Sequence, residues 1–121
     1  MAMLGTREQR AILVRDPNRV VSTAVLSSPK LSDTEIEQFA RMTNVAADVL
    51  RVIGTNRAWL RHYTIVSALV RNPRTPPAIS LGLVARLQER ELKALTVDRN
   101  VPEALRLASR KALATRESRR G

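Results

Sequence analysis

Apolar positions along the chain recur at helical spacing. Val20, Val21, Ala24 and Val25 follow the i, i+1, i+4, i+5 arrangement of one helix face. Ser32-Asp33-Thr34-Glu35 has the form of a capping box, in which Ser32 accepts from the Glu35 N–H while Glu35 reaches back, and Ile36, Phe39 and Ala40 follow it as an inward stripe. Asn44 stands before Val45, Val49, Val52 and Ile53, closed by Gly54, a residue suited to the left-handed backbone after a helix. Asn56 opens a longer helix from Arg57 to about Val70, with Ala58, His62, Ile65, Val66 and Leu69 inward. From Pro76 to Arg86 the chain is apolar on most sides, through Ala78, Ile79, Leu81, Leu83, Val84 and Ala85, which predicts a helix central to its stack. A helix from Gln88 to Val97 turns Leu92 and Leu95 inward. The last, capped by Asn100 with Glu103, carries Val101, Leu105, Ala108 and Ala112. A short first helix covers Gln9 to Val14.

Proline punctuates these segments on a period. Val70-Arg71-Asn72-Pro73-Arg74-Thr75-Pro76-Pro77 is echoed by Val14-Arg15-Asp16-Pro17, 56 residues earlier, and proline pushes the preceding residue out of the helical region. Asn44 lies 27 residues after Pro17, and Asn100 lies 27 after Pro73, so a period of about 28 residues runs through the chain. Seven or so helices at two per period, each pair too poor in apolar surface to fold alone, predict an all-α fold. The expected form is a short α-solenoid, a right-handed superhelix of helix pairs with about 28 residues per unit. Its helical-repeat domain spans 11–114, between a frayed lead-in at 1–10 and a disordered basic tail at 115–121. An irregular helical bundle is the alternative.

The run at 71 to 77, followed by Ile79, Leu83 and Leu87, resembles the units of bacterial leucine-rich repeat variant proteins and, more loosely, HEAT-like helical repeats. The likeness is close over residues 68 to 87, partial at 13 to 26 and 97 to 108, and faint at 41 to 53. It implies a curved stack that acts by presenting a surface to a macromolecule, and it names no partner.

Composition narrows the picture. At 121 residues the chain fits one domain, able to bury roughly two thirds of its unfolded surface. Phe39, Trp59 and Tyr63 are the only aromatic residues, so the core must come from Ala, Val, Leu and Ile. There is no cysteine, which excludes disulfides and thiolate metal or iron–sulfur ligation. No signal-like or membrane-spanning apolar run is evident, which leads to a cytoplasmic expectation. Lys and Arg outnumber Asp and Glu by 21 to 11, giving +10. Residues 41 to 74 hold six basic side chains against Asp48 alone. That excess suits an acidic partner.

Two constellations carry the candidate chemistry. Arg57-Ala58-Trp59-Leu60-Arg61-His62-Tyr63 would place Trp59, His62 and Tyr63 on one helix face beside the i, i+4 pair Arg57 and Arg61, as anchors for a partner or a platform for a base. Its bland reading is an edge of the core with a partly buried His62. Arg15, Arg41, Arg71 and Arg99 share a phase of the period and would form a ladder able to contact phosphates, or would simply bond loose carbonyls at helix ends. Asp33, Glu35 and Glu37 read as a solvated, capped helix start. One histidine, no cysteine, no Gly-rich phosphate loop and no nucleophile elbow give little to an enzyme, a metal or a cofactor.

The expectation is therefore a non-enzymatic adaptor that binds an acidic protein partner through Arg41, Arg57, Trp59, Arg61, His62, Tyr63, Arg71 and Arg74. The alternative is a nucleic-acid-binding protein using the arginine ladder. Neither reading calls for a cofactor, metal or small-molecule substrate.

Overall fold

A computed structural model describes residues 5 to 120, and among them the fold is all-helical, with eight α-helices and no strand. They are α1 (Arg7–Leu13), α2 (Arg19–Ala24), α3 (Asp33–Arg41), α4 (Ala47–Gly54), α5 (Tyr63–Arg71), α6 (Pro77–Leu83), α7 (Glu89–Thr96) and α8 (Glu103–Arg120). Short 3₁₀ turns follow α2 at Val25–Ser27 and α6 at Val84–Arg86, and precede α5 at Trp59–Arg61. The helix starts from α2 onward alternate between two series, at 19, 47, 77 and 103 and at 33, 63 and 89, so the spacing within each stays between 26 and 30 residues.

Local chemistry sets several of these ends. Ser32 accepts from the Glu35 N–H at 3.2 Å while Glu35 accepts from the Ser32 N–H at 3.0 Å, the box read from the sequence. Thr6 and Gln9 make a second box, unforeseen, which starts α1 at Arg7 inside the stretch expected to be a frayed lead-in. Residues 1 to 4 of that lead-in, and Gly121, lie outside the described residues. Asn18 caps α2 through the N–H groups of Val20 and Val21. Pro77 occupies the first turn of α6, where its missing N–H has no helical partner.

Neighbouring helices pack together from α3 to α6 and again at α7 and α8. Contacts join α2 to α4, α3 to α5 and α6 to α8. Gly54 at the end of α4 lies so close to Ile79 of α6 that an added Cβ would stand 2.4 Å from Ile79 Cγ2. One aliphatic core runs through the stack, from Val14 and Val25 through Leu50, Ile65 and Leu69 to Leu92, Leu95 and Leu105, with Phe39 as its single fully buried aromatic. Each such aliphatic side chain contributes about 1.5–3 kcal/mol through burial.

Several expectations change. The buried positions here are Ser22 on α2 and Val25 in the 3₁₀ turn after it, both fully buried, whereas Val20 is 77 % exposed and Ala24 is exposed. The turn to 3₁₀ geometry at Val25 rotates the register and brings Leu26 inward. On α4, Leu50 is buried and Val52 is not, and the helix begins after Ala46 without a cap from Asn44. Gly54 has no positive φ; its role is the close approach of Ile79.

The long helix expected over 57 to 70 is broken at His62, whose extended backbone separates the 3₁₀ turn from α5. The break leaves Ala58 and His62 exposed and lets Tyr63 start a new helix facing α7. Helix α6 is not central: Ser80 and Leu83 are buried, but Leu81 is 38 % exposed and Ala78 is exposed. The Asn100 box does not form, because Pro102 offers the first carbonyl of α8 and Asn100 donates its N–H to Asp98. Leu92 and Leu95 are fully buried as expected. The tail expected to be disordered from 115 instead continues α8 to Arg120, where Arg116 donates to the carbonyls of Ala85 and Leu87 and Arg120 pairs with Glu89 at 2.8 Å.

A groove beside the Asn72 turn

The Asn72-Pro73 turn is held from both sides. Pro73 follows the last turn of α5, and Asn72, 6 % exposed, turns its side chain back into the protein. Its Nδ2 donates to the carbonyl of Ala40 at 2.7 Å and that of Met42 at 2.8 Å, satisfying acceptors that α3 leaves open at its end. Its Oδ1 accepts from the Arg74 N–H at 2.9 Å. Asp16 and Asp98 make the same turn, accepting from the N–H groups of Asn18 and Asn100, both at 2.8 Å. So the residue matching Asn72 after α7 is Asp98, two positions before the asparagine singled out by the sequence period.

Beside this turn lies an open groove of about 400 Å³, walled by α4, the turn, α6 and the start of α8. Val70, Pro73, Pro76, Leu81, Pro102 and Leu105 give it an aliphatic surface, and Arg51, Arg71 and Arg74 stand among its lining residues without a single carboxylate. Arg51 is held by Asp48 at 2.6 Å, and Asp48 also meets Arg19 at 3.5 Å, so one acid serves two arginines. Arg74 makes no side-chain hydrogen bond or ion pair among the described residues. Thr75, 6 % exposed, lines the same groove with its Oγ1 buried and without a hydrogen-bond partner. On the other side of the turn, Arg41, Thr43, Ser67, Arg71 and Pro73 line a depression of about 300 Å³.

Two partly or fully buried carboxylates each hold one arginine: Glu91 holds Arg71, which lines the groove, and Glu35 holds Arg10 away from it. Glu91 of α7 accepts from Tyr63 and Ser67, and from Arg71 at 2.6 Å, so residues 63, 67 and 71 form one polar stripe along α5. Burial raises the Glu91 pKa, but these three donors outweigh it and hold the carboxyl below its ordinary value. Burial together with the bond to Glu91 raises the Tyr63 phenol. Glu35, expected to be solvated, is buried with its side chain 3 % exposed, and receives Arg10 of α1 at 2.7 and 3.0 Å. Burial raises its pKa too, yet the bonds from Arg10 and from the Ser32 N–H bring it below the usual carboxylate value.

The residues singled out in the sequence scatter. Arg71 and Arg74 meet at the groove, and Arg41 and Arg71 at the second depression. Trp59 and Tyr63 are half-buried against the core. His62 is exposed and meets Asp33 at 3.0 Å, and the break at His62 removes the shared face expected of Trp59, His62 and Tyr63. Arg57 and Arg61 are exposed and line neither depression. Arg15 folds back on the Ala11 carbonyl at 2.9 Å, Arg41 pairs with Glu37 at 2.9 Å, and Arg71 is taken by Glu91. Of the ladder, Arg99 alone is left without a side-chain partner among the described residues. Arg51, Thr75 and Asn100 also line the groove; the sequence marked Asn100 only as a helix cap, Thr75 only as part of the turn, and Arg51 not at all.

Among the described residues, no group of three His, Asp or Glu side chains could hold a metal ion, and no helix is long and apolar enough to cross a membrane. No family model matches the chain, and no curated protein or solved structure matches it either. The leucine-rich repeat variant resemblance at 68 to 87 is therefore neither strengthened nor opposed by comparison.

Proposed function

We propose that this chain is a non-enzymatic scaffold, a short α-solenoid of helix pairs, that binds an acidic protein partner through the arginine-bearing side around the Asn72 turn. The alternating helix contacts, the 26 to 30 residue spacing of helix starts and the recurrence of one turn at Asp16, Asn72 and Asp98 support the solenoid. The observation that carries the binding is the acid-free groove with Arg51, Arg71 and Arg74 among its lining residues. An anion placed there meets Arg74, whose side chain has no partner among the described residues, and no carboxylate in the lining, which favours encounter with an acidic surface.

Nucleic acid is the weaker reading. Three of the four ladder arginines are already bonded within the protein, and no aromatic residue lines the groove on which a base could stack. Titration with polyglutamate and with a single-stranded oligonucleotide across a salt series tests the choice. The scaffold reading expects polyglutamate to bind, and to be lost in an Arg51→Glu, Arg74→Glu variant that keeps wild-type helical content. Preference for the oligonucleotide with a steep salt slope would sink it.

A further inference from the structure

We infer that the groove beside the Asn72 turn is a docking site for an extended peptide segment in which acidic and aliphatic side chains alternate. This rests on the scaffold reading and narrows it to one surface and one chemistry. The floor and the charge are intermixed: Pro73, Pro76, Leu81 and Pro102 supply aliphatic surface next to Arg74, which has no partner of its own among the described residues. An occupant must therefore set an apolar side chain on the aliphatic floor and an anion against Arg74 at the rim, which adjacent side chains of an extended segment do because they leave the backbone in opposite directions. A volume of about 400 Å³ accommodates a few side chains rather than a folded domain.

One buried polar group supports a built site. The Thr75 Oγ1 in the groove lining has no partner, an arrangement that native interiors disfavour. A bound backbone or carboxylate would supply what it lacks. Arg74, on the rim, fixes the position of the acid. Phosphate esters could meet Arg74, but the aliphatic walls and the lack of an aromatic lining residue favour a peptide over a nucleotide chain.

The test uses the full chain and a short fluorescein-labelled peptide of alternating Glu and Leu, read by fluorescence anisotropy, with each variant's melting curve as the folding control. Arg74→Glu should weaken binding by about tenfold or more, and Leu81→Ser by several-fold. Thr75→Val should weaken the peptide while raising the melting temperature, because it removes an unsatisfied buried hydroxyl. Arg57→Glu, away from the groove, should leave the affinity unchanged. Wild-type affinity in both Arg74→Glu and Leu81→Ser would overturn the groove. So would an equal loss in Arg57→Glu, or a dissociation constant weaker than about 1 mM for the wild-type chain. In any of those cases retained binding of polyglutamate leaves the broader scaffold reading standing, and its loss removes both. Displacement of the peptide by a thymidine oligonucleotide at equal concentration would assign the groove to nucleic acid and overturn the peptide.

Discussion

Replacing Asn72 by alanine removes the donor that joins the end of α3 to the end of α5. Two backbone acceptors, the carbonyls of Ala40 and Met42, lose their only side-chain donor, and the Arg74 N–H loses its acceptor. Leaving a buried group unpaired costs about 1–3 kcal/mol, and Met42 is only half-buried, so the sum is about 2–4 kcal/mol. In a chain of this size about 4 °C of melting temperature goes with each kcal/mol, which gives a fall of about 8–16 °C. Thermal unfolding followed by far-ultraviolet circular dichroism, repeated in urea, measures it. Asn72→Asp separates the two halves of the role. It keeps an acceptor for the turn, as Asp16 and Asp98 do, yet sets a carboxylate against two carbonyl oxygens, so it should cost at least as much as alanine. A melting temperature within about 2 °C of wild type for either variant refutes the reasoning, and a neutral Asn72→Asp would show that the turn matters and the cross-helix bonds do not.

Arg10→Ala should destabilise by about 3–5 kcal/mol in urea unfolding, because it strands the buried Glu35 carboxylate, whereas Glu37→Ala, on an exposed pair, should change stability by less than about 1 kcal/mol. With Glu35 and Glu91 both held below the ordinary carboxylate value, the stability they contribute is fully present above about pH 4.5 and is lost as pH falls through their folded-state values. Acid titration of the unfolding midpoint should show that decline, and a flat profile below that pH would contradict it. Leu83→Ala should cost about 2–5 kcal/mol, since Leu83 is buried on α6, and unaltered unfolding would place it outside the core. Gly54→Ala should cost about 1–3 kcal/mol through overpacking on Ile79, and less in an Ile79→Leu background that removes the Cγ2 methyl; equal costs in the two backgrounds would deny the contact.

Helical spacing made the fold class legible, because Leu92, Leu95, Ile36 and Phe39 are buried where the stripe places them. The Ser32 box and the proline stops were legible for the same reason, being chemistry within a few residues. What failed depended on distance along the chain. Nothing near Glu35 announces Arg10, 25 residues away, so a buried ion pair read as a solvated helix start. Arg71 kept the ladder phase but is committed to Glu91, 20 residues on. Apolar count misled at α6, where Ala78 and Ala85 are exposed and Leu81 borders an open groove instead of a neighbour. At the groove, Arg71 and Arg74 were singled out because the turn was; Arg51 and Thr75 were not, since four separate segments build the walls.

The hydrogen bonds that tie helix to helix, from Arg10 with Glu35 to Arg116 with Leu87, join positions no more than 32 residues apart. Little chain has to be closed into a loop before any of them can form, so relative contact order is low and refolding should be fast for a chain of 121 residues, in the microsecond to millisecond range. Amide exchange should then grade inward, with the first and last helices opening ahead of the middle, and a nascent chain leaving the ribosome could consolidate its early helices before the last are made.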